Sequence, residues 1–310
     1  MGALTGKTAI VTGGGRGLGR EHALLLSRLG ASVVVNDNGA GPDGASAAET
    51  PAHDVVAEIQ ANGGRAVAHI GSVSDWESAG EMVRLAVDTY GGLDILVNNA
   101  GILRDRTIVN MTESEWDSVM DVHLKGHFCP LRHAAAYWRE RSKSGEQVAA
   151  SVINTSSPSG LRGNPGQLNY AAAKGGIAIM TLVAARELER YGVRVNAIAP
   201  VARTRLTLAA PGFGEAVTEE AGGFDQWAPE NVSPLVAYLA SPGCSLSGQV
   251  FTVIGGHVGL QRSWFEEESF DLDRRWTVEE LAEALAHLPA GPPPFVSSID
   301  AQRQRTGTQS

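Results

Sequence analysis

The chain has 310 residues, 43% of them apolar and 19% charged, a balance that supports a substantial core in one large α/β domain, alone or with an appendage. A net charge of −9 without a basic run argues against nucleic-acid binding, because a phosphate backbone needs a cationic surface. Two cysteines without paired spacing argue against disulfides and metal sites, and the lack of a basic leader and of an apolar run of bilayer length argues against a membrane span and predicts a cytoplasmic setting.

Residues 8–11 read as a short buried strand, followed by a glycine turn and a helical pattern over 18–29. Residues 32–36 form a second β-branched strand. The alternation continues with a helix at 53–61, a strand at 66–70, a helix at 76–90 and a strand at 93–97. Residues 113–137 carry one long, bent helical pattern. A strand at 148–154, a helix at 170–191 and strands at 194–198 and 250–254 complete the core. About seven strands alternating with helices predict a Rossmann-type α/β fold, a doubly wound parallel sheet.

Three segments depart from that rhythm. Residues 38–51 are a Gly/Ala-rich insertion, and 203–227 lie where a substrate cover would lie. The dinucleotide-binding and catalytic domain is expected over 1–262, and a C-terminal extension over 263–296. That extension carries a helix at 276–288, opened by Thr277 with Glu280 as a capping box and stopped by Pro289 and Pro292 to Pro294. A polar, disordered tail is expected over 297–310.

The first turn places Gly13, Gly17 and Gly19 between a strand and a helix, with Arg16 and Leu18 among them. Such a turn lets phosphates approach backbone N–H groups at the positive end of a helix. Asp37 ends the second strand, where a carboxylate accepts from both adenosine ribose hydroxyls and repels a 2′-phosphate. NAD is therefore the expected cofactor. Arg16 is the counterweight, since a basic residue there can meet a 2′-phosphate.

Asn98-Asn99-Ala100-Gly101 follows the fourth strand, and Ser157 precedes Tyr170-Ala171-Ala172-Ala173-Lys174. With the glycine turn, this ordered set resembles the short-chain dehydrogenase/reductase family from about residue 4 to 261. Four strings give a closer likeness: Val35-Asn36-Asp37, residues 98–106, Val122-His123-Leu124-Lys125-Gly126, and 163–170. They resemble the (3R)-3-hydroxyacyl-CoA dehydrogenase unit of peroxisomal multifunctional enzyme type 2 and its bacterial relatives. The likeness implies a 3-hydroxyacyl-CoA substrate, fatty or sterol-derived, and a homodimer or homotetramer.

Lys174 stands one helical turn beyond Tyr170, so both side chains can share a face. The ammonium and the positive nicotinamide of NAD would both favour phenolate and lower the phenol's pKa of about 10 towards a working base. Tyr170 would then take the alcohol proton, Ser157 hold the substrate oxygen, and Lys174 bind the nicotinamide ribose. In isolation the Tyr–Lys spacing reads more readily as an exposed helix face.

The resemblance assigns further cofactor contacts to Asn98, Ala100, Gly101 and Thr204, with Asn99 only bracing the sheet. It also exposes departures. His123 stands where the family has an asparagine holding a water, and could hold that water, relay a proton near its pKa of about 6.5, or simply be packed. Ser72, next to Val73, replaces the acidic residue near the adenine, and Val201 replaces a glycine after Pro200. The alternatives are a hydroxysteroid dehydrogenase, a 3-oxoacyl carrier-protein reductase, or a catalytically silent scaffold on the same fold.

Overall fold

The computed structural model describes residues 2–40, 51–209, 223–262 and 266–289. Residues 41–50 of the insertion, 210–222 of the expected cover, and 263–265 and 290–310 of the extension, with Pro292 to Pro294, lie outside the described residues.

One sheet of eight strands has the order β3-β2-β1-β4-β5-β6-β7-β8. The strands are β1 (Thr8–Thr12), β2 (Ser32–Asn36), β3 (Arg65–His69), β4 (Ile95–Asn98), β5 (Ala150–Thr155), β6 (Val193–Pro200), β7 (Val250–Ile254) and β8 (His257–Gln261). All pairings are parallel except β7 with β8. The order reverses between β1 and β4, which opens a crevice at the carboxyl ends of the strands.

Strand alternation sorts the core onto both faces. Val11, Val33, Val35, Val97 and Ile153 point to one face, under helices α1 (Gly17–Arg28), α2 (Pro51–Ala61) and α9 (Ser233–Ala240). Ile10, Val34, Leu96, Val152 and Val195 point to the other, under α3 (Trp76–Tyr90), α5 (Gly126–Lys143) and α7 (Leu168–Leu188). Trp138 of α5 is fully buried there, and its indole N–H donates to the Leu93 carbonyl at 2.7 Å.

The sequence expectation stopped one strand short. Ile254 pairs with His257, so Gly255-Gly256 is a two-residue hairpin loop that adds the antiparallel edge strand β8. Gly255 has φ +53°, a conformation that glycine adopts without steric cost. The long middle helix is three pieces: α4 (Glu113–Val119), a π-helical turn over Met120–Lys125, and α5. The bend thus has a defined cause, and π turns gather at functional sites.

The short helices α6 (Pro158–Arg162) and α8 (Arg205–Ala209) lie on the crevice side of β5 and β6. The expected tail helix is α10, which spans only Val278–Ala284. Its Thr277–Glu280 capping box is present, but none of its residues is buried, and Leu281 and Leu285 remain partly exposed. Without a core to fix them, the flanking turns do not extend the helix.

Candidate active site

The first turn is shaped by what glycine lacks. A Cβ on Gly13 would stand 2.8 Å from the Ala100 Cα, and one on Gly19 would stand 2.1 Å from the Gly13 carbonyl oxygen. Gly13 and Gly17 also take left-handed φ values of +60° and +52°. Gly13, Arg16, Gly17 and Leu18 line the crevice, while Gly19 lies behind, closing the helix onto the turn. The free N–H groups of α1, a helix of 12 residues, therefore open on the crevice.

Asp37 lines the same space. Its Oδ2 accepts from the Gly15 N–H at 3.1 Å and its Oδ1 from the Gly39 N–H at 2.8 Å, so the carboxylate is held by backbone. Arg205 of α8 also lines the crevice, within electrostatic range of Arg16 and Asp37. Ser72 and Val73 follow β3 and line the crevice too. Ser72 Oγ lies 3.1 Å from Ser74 Oγ, which donates to Asp121 on the π turn at 2.5 Å.

Ala100, Gly101 and Thr204 are on the crevice wall as expected. Thr204 opens α8 over the glycine turn, its Cγ2 being 3.6 Å from where a Gly17 Cβ would stand. Asn98 is not on the wall. It is fully buried, and its Nδ2 donates to the Asn154 Oδ1 at 3.0 Å. Strand periodicity explains this: Asn98 follows Leu96 to the α5 face. Asn99 lines the crevice instead, its Nδ2 donating to the carbonyls of Thr12 at 3.0 Å and Gly13 at 3.2 Å. Asn98 is therefore placed away from the crevice, contrary to expectation, while Asn99 braces as expected and also lines the crevice.

The reactive side chains converge from β5, α6 and α7. Ser157 caps α6, with its Oγ accepting from the Ser159 N–H at 3.2 Å. Its hydroxyl also hydrogen-bonds to Tyr170. Lys174 is 2% exposed, donates from Nζ to the Thr155 carbonyl at 2.6 Å, and stands 5.7 Å from the centre of the Tyr170 ring. Tyr170 and Lys174 both line the crevice, so the exposed-face alternative does not describe them. α6 approaches α7 closely enough that a Cβ on Gly160 would lie 2.5 Å from the Gly175 nitrogen.

Among the chain's own groups, burial outweighs the neighbouring ammonium. Burial pushes the Tyr170 hydroxyl up to about 12, against the lowering effect of the Ser157 hydrogen bond. Burial also pushes Lys174 down to about 7. The cost of burying an ion without a counter-ion exceeds the mutual effect anticipated from their spacing. The resting pair is a neutral phenol beside a readily deprotonated amine.

His123, on the π turn, is 1% exposed and packs edge-on against the Tyr170 ring at 5.2 Å between centres. Its Nε2 lies 2.7 Å from the Ile102 carbonyl, and burial, then the nearby Lys174 charge, push its pKa down to about 3. Titration near neutral pH, one of the three roles left open, therefore does not fit. Its Nδ1 is buried without a partner, while Nε2 lies within hydrogen-bond distance of both the N–H and the carbonyl of Ile102.

These features fit a nicotinamide dinucleotide: a glycine cradle that a Cβ would fill, a helix N-terminus, and a fixed carboxylate at the far end. No group of three or more His, Cys, Asp or Glu side chains placed to hold a metal occurs among the described residues. Among the described residues, one helix, over Leu168–Tyr191, is long and apolar enough to cross a bilayer. It carries Tyr170 and Lys174 into the crevice and packs on the sheet, as a core helix does.

Comparison with known proteins agrees with this geometry. The family model described as short chain dehydrogenase matches residues 7–208. The chain is 48% identical to hydroxyacyl-CoA dehydrogenase ChsB1 of Mycobacterium tuberculosis, over 97% of this chain and 95% of that one. It is 41% identical to peroxisomal multifunctional enzyme type 2 of Drosophila melanogaster, over 81% of this chain and 39% of that longer protein. A crystal structure of a short chain dehydrogenase from Mycobacterium avium superposes with a TM-score of 0.84 at 50% identity, covering 95% of this chain and 98% of that one.

Proposed function

Because the chain belongs to the short-chain dehydrogenase family, and is thus an oxidoreductase acting on CH–OH groups, we propose that it interconverts a 3-hydroxyacyl-CoA and the 3-ketoacyl-CoA using NAD(H). The placing of Tyr170 and Lys174 on one crevice, with Ser157 against the Tyr170 hydroxyl, carries this reading. When bound, the dinucleotide supplies the hydride acceptor. Tyr170, in its phenolate form after its own proton has left to solvent, would take the hydroxyl proton at its phenolic oxygen as the carbinol carbon is oxidised. Ser157, with one Oγ lone pair occupied by the Ser159 N–H, has a single O–H, which would pass from Tyr170 to the substrate oxygen. The Lys174 ammonium is placed to hold the nicotinamide ribose. Similarity to a hydroxyacyl-CoA dehydrogenase along nearly the whole chain supports the thioester substrate.

Asp37 supports NAD over NADP, since its backbone-held carboxylate cannot turn away from a 2′-phosphate. Arg16 and Arg205 would act in the opposite sense, and the carboxylate at the end of β2 decides between them. A panel of 3-hydroxyacyl-CoA thioesters and free hydroxysteroids, each with NAD and NADP, tests both halves. Turnover is expected with the thioesters and NAD. Asp37→Ala should narrow the NAD/NADP ratio of kcat/KM by about 10- to 100-fold, as expected when a like-charge clash of a few kcal/mol is removed. A wild-type preference for NADP would overturn the assignment of Asp37.

Self-association belongs to the same reading. The apolar α7 helix leaves Ile179 and Val183 exposed at 43% and 45%, and Phe128 of the neighbouring α5 is 47% exposed. We infer that a second copy of the chain covers this face. Sedimentation should show a dimer or tetramer that Ile179→Glu with Val183→Glu dissociates. A monomeric wild type would refute the inference.

A further inference from the structure

His123 lines the crevice, yet the chemistry above gives it no task. Its ring fills a slot between two walls. One wall is the loop after β4. A Cβ on Gly101 would stand 2.4 Å from the His123 Cε1, 3.1 Å from Nδ1 and 3.2 Å from Nε2. Gly101 is not among the glycines with positive φ, so this neighbour, rather than the backbone conformation, demands a residue without a side chain. The next residue supplies an anchor, with the His123 Nε2 2.7 Å from the Ile102 carbonyl oxygen and 3.1 Å from the Ile102 nitrogen. The other wall is Tyr170, whose ring meets the His123 ring at 89° with 5.2 Å between centres, the edge-on arrangement that aromatic pairs favour.

The backbone and the ring of Tyr170 are held by different groups. Asn169, fully buried, donates to the carbonyls of Arg104 and Glu115 at 3.0 Å each, while its Oδ1 accepts from the Tyr170 N–H at 2.7 Å. That clamp fixes the first turn of α7 but leaves the side-chain torsions of Tyr170 free. Around the ring stand His123 and the Lys174 Nζ, 5.7 Å from its centre, while Ser157 meets the hydroxyl. His123 is fixed at both ends. Its backbone lies on the π turn, whose Leu124 packs onto α7 with Cδ1 3.1 Å from where a Gly176 Cβ would stand, and its ring is tied to Ile102. Burial first, and the Lys174 charge after it, keep the ring neutral, so what it offers Tyr170 is shape.

We propose that His123 is a positioning residue for the Tyr170 base: anchored on Ile102 and seated over Gly101, its ring sets how far the phenol stands from the Gly101 wall of the crevice. The proposal rests on the assignment of Tyr170 as the base. Without the ring, the slot between Gly101 and Tyr170 opens, and the phenol leans into it by rotating about its own side-chain bonds. A displacement of about 1 Å at a reacting group slows the chemical step by roughly 100-fold. The glycine turn, Asp37 and Asn99 are held by contacts that do not involve His123. Its loss therefore lowers kcat and leaves dinucleotide affinity in place.

The test removes the ring and, separately, crowds its seat. In His123→Asn, kcat for alcohol oxidation should fall about 10- to 100-fold, with KM and the Kd for NADH within about threefold of wild type. A crystal structure of His123→Asn should show the Tyr170 hydroxyl displaced by about 1 Å towards Gly101, a readout that needs no substrate. Gly101→Ala should lower Tm by roughly 3–10 °C by overpacking against the ring, and by less than half of that on the His123→Asn background. A wild-type kcat in His123→Asn, an unmoved Tyr170 hydroxyl, or an equal Tm loss from Gly101→Ala on both backgrounds would overturn the proposal, as would an NADH affinity that falls as far as kcat. Should wild type turn over no alcohol while Tyr170 still moves and the two substitutions still couple, the proposed activity fails and the positioning of the phenol by His123 stands.

Discussion

Tyr170→Phe should lower kcat for alcohol oxidation about 10³-fold while leaving NADH binding and thermal stability close to wild type. The substitution removes one oxygen from the point where Ser157 and the crevice meet, and keeps the ring that packs edge-on against His123. The cofactor cradle is built by the glycine turn, Asn99 and Asp37, none of which depends on that oxygen. Binding, read by quenching of protein fluorescence on NADH addition, should therefore survive. In wild type, burial holds the free Tyr170 hydroxyl up to about 12, so the deprotonated fraction grows with each unit of pH across the working range. Oxidation should accelerate from pH 7 to 10, and the reverse reduction, which needs the proton on Tyr170, should not. A Tyr170→Phe protein that retains more than a tenth of the wild-type rate would remove Tyr170 from the chemistry. Loss of NADH binding together with activity would instead make it a cofactor residue.

The parts of this site that were legible in the sequence are those set by local spacing. A strand, a glycine turn and a helix follow one another within a few residues, and Tyr170 and Lys174 are one helical turn apart. The placing of Asn98 was also readable. Extending the alternation of Ile95, Leu96 and Val97 by two residues sends Asn98 to the α5 face. Gly255-Gly256 was a hairpin signal left as a glycine cluster. The π turn around His123 was less accessible, since 3.6-residue periodicity describes a bend without locating an extra residue. The charge state of the catalytic pair was not legible at all. It depends on burial, which only the packed fold sets. Spacing predicted that two side chains meet, and desolvation decided in which form.

Lys174→Met should lower kcat/KM by about 10²- to 10³-fold and reverse the sign of a pH-dependent stability difference. Burial lowers Lys174 from 10.5 to about 7 in the folded chain. Unfolded, the amine keeps its proton up to about 10.4. Between those values the unfolded state binds one more proton, so wild-type stability rises with pH across that window. Below about pH 7 the folded protein carries a buried ammonium that donates to the Thr155 carbonyl and faces no carboxylate close enough to lift its pKa, so it bears the desolvation penalty. Methionine fills similar volume without charge, so at pH 6 the variant should be the more stable, with a higher Tm. Towards pH 10 wild type holds a neutral amine that still donates to Thr155, whereas the variant leaves that carbonyl unpaired at a cost of about 1–3 kcal/mol. The two stability curves should therefore cross, with wild type favoured on the alkaline side. Melting at half-unit steps from pH 6 to 10 reads the crossing. Parallel curves would show that Lys174 keeps its proton throughout, and that the crevice solvates or pairs the ammonium far better than its burial implies. A crossing accompanied by lost activity would mean that the fold tolerates an unstable buried cation at this position because the reaction needs one there.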